Sequence, residues 1–149
     1  EKIQNELTIK LNSRISITPI LVPHRDEYSE TVCYLVSTMK KKLLYIPDID
    51  KWHLWDKDIK EMIKIVDYAL LDGTFYQDGE LSRDMSKIPH PFVKESMILF
   101  KDLSKQNKQK VFFTHLNHTN PLIIKESKEQ FEVKKLGFNF AMDNLVLEL

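Results

Sequence analysis

The stretch Tyr68-Ala69-Leu70-Leu71-Asp72-Gly73 decides the fold. Four consecutive residues with no charge, stopped by an acid and a glycine, read as a buried strand with a polar end. Immediately before it, Ile59, Met62, Ile63 and Val66 fall at i, i+3, i+4 and i+7 with charges between them. That spacing predicts an amphipathic helix over about Asp56 to Val66, with Asp50 or Asp56 as its cap. Before the helix, Leu43-Leu44-Tyr45-Ile46 is a second short apolar run, ended by Pro47-Asp48. After a polar loop to Pro91, the residues Val93, Met97 and Phe100 mark another helix reaching about Lys105. Val111-Phe112-Phe113-Thr114 is then a third run of the same kind. Alternation of buried strands with helices is the signature of a mixed α/β layer structure.

Outward from this centre, Leu7 to Leu11, Ile15 to Val22 and Thr31 to Thr38 alternate as strands. At the other end, a helix over Ser127–Leu136 is ended by Gly137, and strands follow at Phe138–Met142 and Leu145–Leu149. The expected order is β-β-β-β-α-β-α-β-α-β-β, in a single domain over residues 1–149.

Composition bounds the function. The chain has 149 residues, and 22 Lys and Arg balance 22 Asp and Glu. Zero net charge argues against a general nucleic-acid or membrane-surface binder. No apolar run approaches the roughly 20 residues of a membrane span. The single cysteine, Cys33, excludes an internal disulfide and a multi-cysteine zinc site. It fits a cytoplasmic setting and leaves the periplasm open.

The chemistry lies where the strands end. Asp48, Asp72 and His115 each come directly after a short apolar strand, and His24 follows another beside Pro23. Strand ends in an α/β sheet converge on one edge, where ligands bind. Carboxylate and imidazole together are a ligand set for zinc, manganese or non-haem iron. Asp and His at strand ends also serve as caps and turn formers, and for any one residue that role is the commoner one. Recurrence raises the functional reading. His53, in Trp52-His53-Leu54-Trp55, reads as packing. His90, between Pro89 and Pro91, is held rigidly and suits a proton donor. In His115-Leu116-Asn117-His118-Thr119-Asn120-Pro121, His115 is the favoured ligand. Asn117, His118 and Asn120 would support the ligands, touch substrate or only form the turn.

Four segments carry a family resemblance: Val22-Pro23-His24-Arg25-Asp26, Tyr45-Ile46-Pro47-Asp48, Leu71-Asp72-Gly73-Thr74-Phe75 and Thr114-His115-Leu116-Asn117-His118-Thr119-Asn120-Pro121. In order and spacing they resemble the later motifs of the metallo-β-lactamase superfamily, and in particular its branch of pyrroloquinoline quinone (PQQ) biosynthesis B proteins. The resemblance implies the C-terminal half of an αββα sandwich with a metal site at the sheet edge. It implies His24, Asp48 and His115 as metal ligands, and Asp72 with His90 as an acid–base couple. One or two divalent metals, zinc or iron, would serve a hydrolase-like reaction through activated water, or an oxygen-dependent one, on a small-molecule substrate. The superfamily's earlier histidine-rich motif has no counterpart here, since no histidine precedes His24. His118 also stands where the PQQ branch carries a second Asn. With Glu1 in place of an initiator Met, this makes the chain an expected half of a longer protein. Its partner would be an N-terminal half of the same fold, or a second copy. The alternative is a non-catalytic structural or partner-binding half-domain without a full metal site.

Overall fold

The computed structural model describes residues 3–149; Glu1 lies outside the described residues. Seven strands form one mixed sheet in chain order. They are β1 (Ile9–Lys10), β2 (Ile15–Leu21), β3 (Val32–Thr38), β4 (Lys42–Ile46), β5 (Tyr68–Asp72), β6 (Val111–Thr114) and β7 (Asn139–Phe140). Neighbours from β1 to β4 are antiparallel, and from β4 to β7 parallel. Both β2 and β4 oppose β3, so β2, β4, β5 and β6 all run the same way. Their C-terminal ends therefore open on one edge of the sheet, the edge where His24, Asp48, Asp72 and His115 were expected to meet.

Four helices connect the parallel strands: α1 (Ile59–Lys64), α2 (Val93–Leu99), α3 (Lys105–Gln109) and α4 (Lys128–Lys135). Three have a side-chain oxygen at the N-cap. Asp58, rather than Asp50 or Asp56, caps α1 by accepting from Lys60 N; Ser104 and Ser127 cap α3 and α4. Such caps satisfy backbone donors that the helix itself leaves unpaired. Gly137, at φ 90°, ends α4. Phe138 N bonds Val133 O and Gly137 N bonds Lys134 O, closing the helix in a left-handed turn that glycine adopts freely.

The register sorts the sheet into two faces. Leu35, Leu44, Ala69 and Val111 share one row, and Ile46, Leu71 and Phe113 another on the same side. These pack with Ile59, Ile63, Val93, Met97 and Val133 of the helices into one core. Each fully buried aliphatic side chain there contributes about 1.5–3 kcal/mol of hydrophobic stabilisation. The opposite face carries Ile17, Val36, Leu43, Tyr45, Tyr68, Leu70 and Phe112 in matching rows. These residues are half-buried to exposed and stand outside the core cluster.

Four expectations need correction. The helix from Val93 stops at Leu99, and α3 is a separate helix, because Ser104 serves better as a cap than as an interior residue. No strand forms over Leu145–Leu149: a turn with Asn144 at φ 64° follows β7, Val146 is exposed, and the tail ends beside the sheet, where Glu148 O accepts from Lys41 Nζ and Leu149 lies near Ile15 and Thr38. His53 is exposed while Trp52 and Trp55 are buried, so it does not pack between them. The loop from Gly73 to Pro91, expected to be polar, has a small core of its own in Phe75, Met85, Ile88 and Phe92.

Candidate metal centre

The sheet edge is laced together before any functional side chain is considered. Asp50 N bonds Pro23 O at 2.7 Å, joining the turn of His24 to the loop of Asp48. Trp55 Nε1 donates to Leu21 O and Trp52 Nε1 to Ser96 Oγ, each at 2.8 Å, so the same loop is anchored to β2 and α2. Gly73 N bonds Thr114 O, and Asn117 N bonds Thr74 O. Asn120, with no exposed surface, donates from Nδ2 to Gly73 O at 2.6 Å and accepts from Leu122 N. Gly73 is required by this close approach. A Cβ there would stand 2.9 Å from Phe113 Cβ and 3.1 Å from Thr114 O.

Within this frame His24 Nε2 lies 2.9 Å from Asp48 Oδ1. Both atoms are buried, yet neither has a hydrogen-bond partner. Buried polar atoms are nearly always paired. Two unpaired ones converging on a single point are what a cation bound between them would explain. His90 joins them, with ligand-type atoms of His24, Asp48 and His90 all within 4.8 Å of one another. Imidazole and carboxylate suit zinc and non-haem iron, so the donor set fits the implied metal.

His90 reaches the edge from the loop rather than from a strand. Flanked by Pro89 and Pro91, and with its ring 6.0 Å from that of Phe75, it is fixed from both sides. Its Nδ1 lies 2.8 Å from Asp72 Oδ2 and 3.4 Å from Asp48 Oδ1. Burial works against a charged ring, but the Asp72 hydrogen bond and the charges of Asp72, Asp48 and Asp50 outweigh it. The His90 pKa therefore lies above the usual histidine value.

Asp72 itself is wholly buried and satisfied on both oxygens. Oδ1 accepts from Thr74 N and Thr74 Oγ1, at 2.8 and 2.7 Å. Oδ2 accepts from Ile49 N at 3.2 Å and takes the His90 contact.

His115 stands one ring further, its centre 6.4 Å from that of His90. The segment from His115 is not extended, as a simple continuation of the strand would have it: His115 lies at φ 59°, and a turn follows. Its Nδ1 is 3.1 Å from Thr74 Oγ1. Asn117 is occupied with Thr119 and with exposed His118. Asn120 has no surface with which to touch a substrate.

A cavity of about 430 Å³ opens on His24, Thr74, Phe75 and His90 and is rimmed by three cations, Arg25, Arg83 and Lys87, and one carboxylate, Asp84. These three cations form no ion pair among the described residues. The chain has three arginines, and two of them are here. That scarcity is a sequence signal that composition totals conceal. A larger hollow of about 630 Å³ lies at Lys51, His53 and Lys57, away from the converging histidines.

Comparison with known proteins gives the family and the fold. Residues 1–116 match the family described as the beta-lactamase superfamily domain. The chain is 25% identical over 144 residues to a coenzyme PQQ synthesis protein B of Acinetobacter baumannii, covering 90% of this chain and 46% of that protein. It is 29% identical over 132 residues to the protein of the same name from Methylorubrum populi, covering 83% and 42%. The chain thus spans about half the length of the curated relatives it matches. A crystal structure of zinc-bound PqqB from Methylobacterium extorquens superposes with a TM-score of 0.80 at 24% identity, over 100% of this chain and 55% of that one. By family match, relatives and fold, the chain belongs to the metallo-β-lactamase superfamily and is similar to coenzyme PQQ synthesis protein B.

Proposed function

We propose that the chain carries part of the active site of a metal-dependent, hydrolase-like enzyme similar to PQQ synthesis protein B, acting on a small anionic molecule. The observation that carries this reading is the pair of buried, unpartnered atoms His24 Nε2 and Asp48 Oδ1 beside the His90–Asp72 hydrogen bond. His24 and Asp48 would hold the metal, zinc or iron, with His115 from the end of β6, two strands along from β4. Bound there, such an ion supplies Lewis-acid activation of water or of a substrate oxygen.

The protein's own groups supply the rest. Asp72 accepts from His90 Nδ1–H and so leaves Nε2 to give or take a proton. The Asp72 hydrogen bond and the charges of Asp72, Asp48 and Asp50 raise the His90 pKa and so favour the protonated ring. Arg25, Arg83 and Lys87 outnumber Asp84 at the cavity mouth and suit a carboxylate or phosphate, which guanidinium groups bind in two-point fashion. The balanced charge of the whole chain fits a small anion better than a polyanion.

The half-exposed apolar face of the sheet supports a second layer packing there, from an N-terminal half of the same fold or from a second copy. No helix among the described residues is long and apolar enough to cross a membrane. Elemental analysis of the longest natural form, after expression with ample zinc and iron, tests the reading. Close to one equivalent or more of metal is expected; none would sink it.

A further inference from the structure

Asp72 is linked to two histidines, directly to one through Oδ2 and by way of a hydroxyl to the other through Oδ1. The Oδ2 side is direct, to His90 at 2.8 Å. The Oδ1 side runs through the hydroxyl of Thr74, which is 2.7 Å from Asp72 Oδ1 and 3.1 Å from His115 Nδ1. A hydroxyl has one hydrogen to give and lone pairs to receive. The ionised carboxylate only accepts, so the Thr74 hydrogen goes to Asp72. The contact with His115 is then a hydrogen bond only if His115 Nδ1 carries the hydrogen and Thr74 Oγ1 receives it.

We propose that Thr74 is a positioning residue that extends the hold of Asp72 to His115, fixing that ring with its hydrogen on Nδ1 and its Nε2 bare. One buried carboxylate thereby sets the tautomer of two rings contributed by different loops. The tautomer of a histidine follows the hydrogen bond made by its other nitrogen, and a bare nitrogen is what a metal ligand requires.

The surrounding backbone is built to keep the distances. Gly73 N to Thr114 O, Asn117 N to Thr74 O and Asn120 Nδ2 to Gly73 O tie the two turns into one unit. Thr74 is buried, 8% exposed, so little water competes for its hydroxyl. His115 accepts a left-handed backbone, φ 59°, which a non-glycine residue adopts uncommonly. That backbone brings its ring back over the turn of Thr74 instead of continuing β6.

The use of the bare Nε2 for a metal rests on the functional reading above; the tautomer does not. The test is long-range 15N–1H correlation of the imidazole rings in the full, metal-free chain, at a pH where the rings are neutral, with His115→Gln to assign the signals. The expected wild-type pattern for His115 is hydrogen on Nδ1. Thr74→Val, matched in shape, is expected to move most of His115 to the Nε2–H form and leave His90 unchanged, and Thr74→Ser to restore the wild-type pattern. Hydrogen on Nε2 of wild-type His115 overturns the proposal, as does a folded Thr74→Val chain with an unaltered His115. Should Thr74→Val not fold, the wild-type spectrum still decides. Because no metal is present, a chain that takes up no zinc leaves this result standing, and the opposite tautomer leaves metal uptake to be judged separately.

Discussion

Asp72 Oδ2 and His90 Nδ1 meet at 2.8 Å although 18 residues separate them in the chain, and Asp72 has no exposed surface. The carboxylate opposes the effect of burial on the ring and raises its pKa. Asp72→Asn removes that charge and leaves burial acting with less opposition. The His90 titration midpoint, followed by NMR on the metal-free chain, is then expected to fall below its wild-type value, toward or below the ordinary 6.5. In the wild type the folded value exceeds the unfolded one. The stability gained from this pair is therefore full below about 6.5 and fades as pH rises through the raised value. An unchanged midpoint in Asp72→Asn would show that the pair does not set the titration.

Gly73→Ala tests the close approach of the turns after β5 and β6. The added methyl group would meet Phe113 Cβ at 2.9 Å and Leu116 Cδ2 at 3.2 Å. Overpacking of this kind costs about 1–3 kcal/mol. Urea denaturation should give a lower midpoint with a similar slope; a midpoint equal to wild type would mean that the turns separate freely.

Glu80 links the loop of His90 to the loop of His115. It accepts from the backbone N–H groups of Tyr76 and Gln77, and Thr119 Oγ1 approaches its other oxygen at 3.4 Å. Burial raises its pKa above 4.5, against the opposing effect of those hydrogen bonds. A folded value above the unfolded one means that the folded chain holds the proton more tightly. Stability is then lost as pH rises from about 4.5 through the raised value. Glu80→Gln, which keeps an acceptor, should flatten this part of the pH–stability curve. Identical wild-type and variant slopes in urea melts between pH 4 and 7 would contradict it.

What could be read in the sequence follows from the range of the interactions. The strands β4, β5 and β6 were legible because each is a short apolar run with a breaker at its end, and their shared direction brought Asp48, Asp72 and His115 to one edge. The His90–Asp72 contact was not legible from spacing. It depends on a loop whose core residues, Phe75, Met85, Ile88 and Phe92, follow no period, and only the family resemblance pointed to it. Thr74 stood in plain view beside Asp72, but its use depends on where a single hydroxyl hydrogen points. The strand expected over Leu145–Leu149 failed because alternation says nothing about whether an edge is in reach.

Calorimetric titration of the metal-free chain with zinc shows whether His24 and Asp48 hold a cation. The wild type is expected to bind zinc saturably, and His24→Ala and Asp48→Asn each to weaken that binding at least about tenfold. Absence of binding by the wild type, or an affinity unchanged from wild type in both variants, would contradict it.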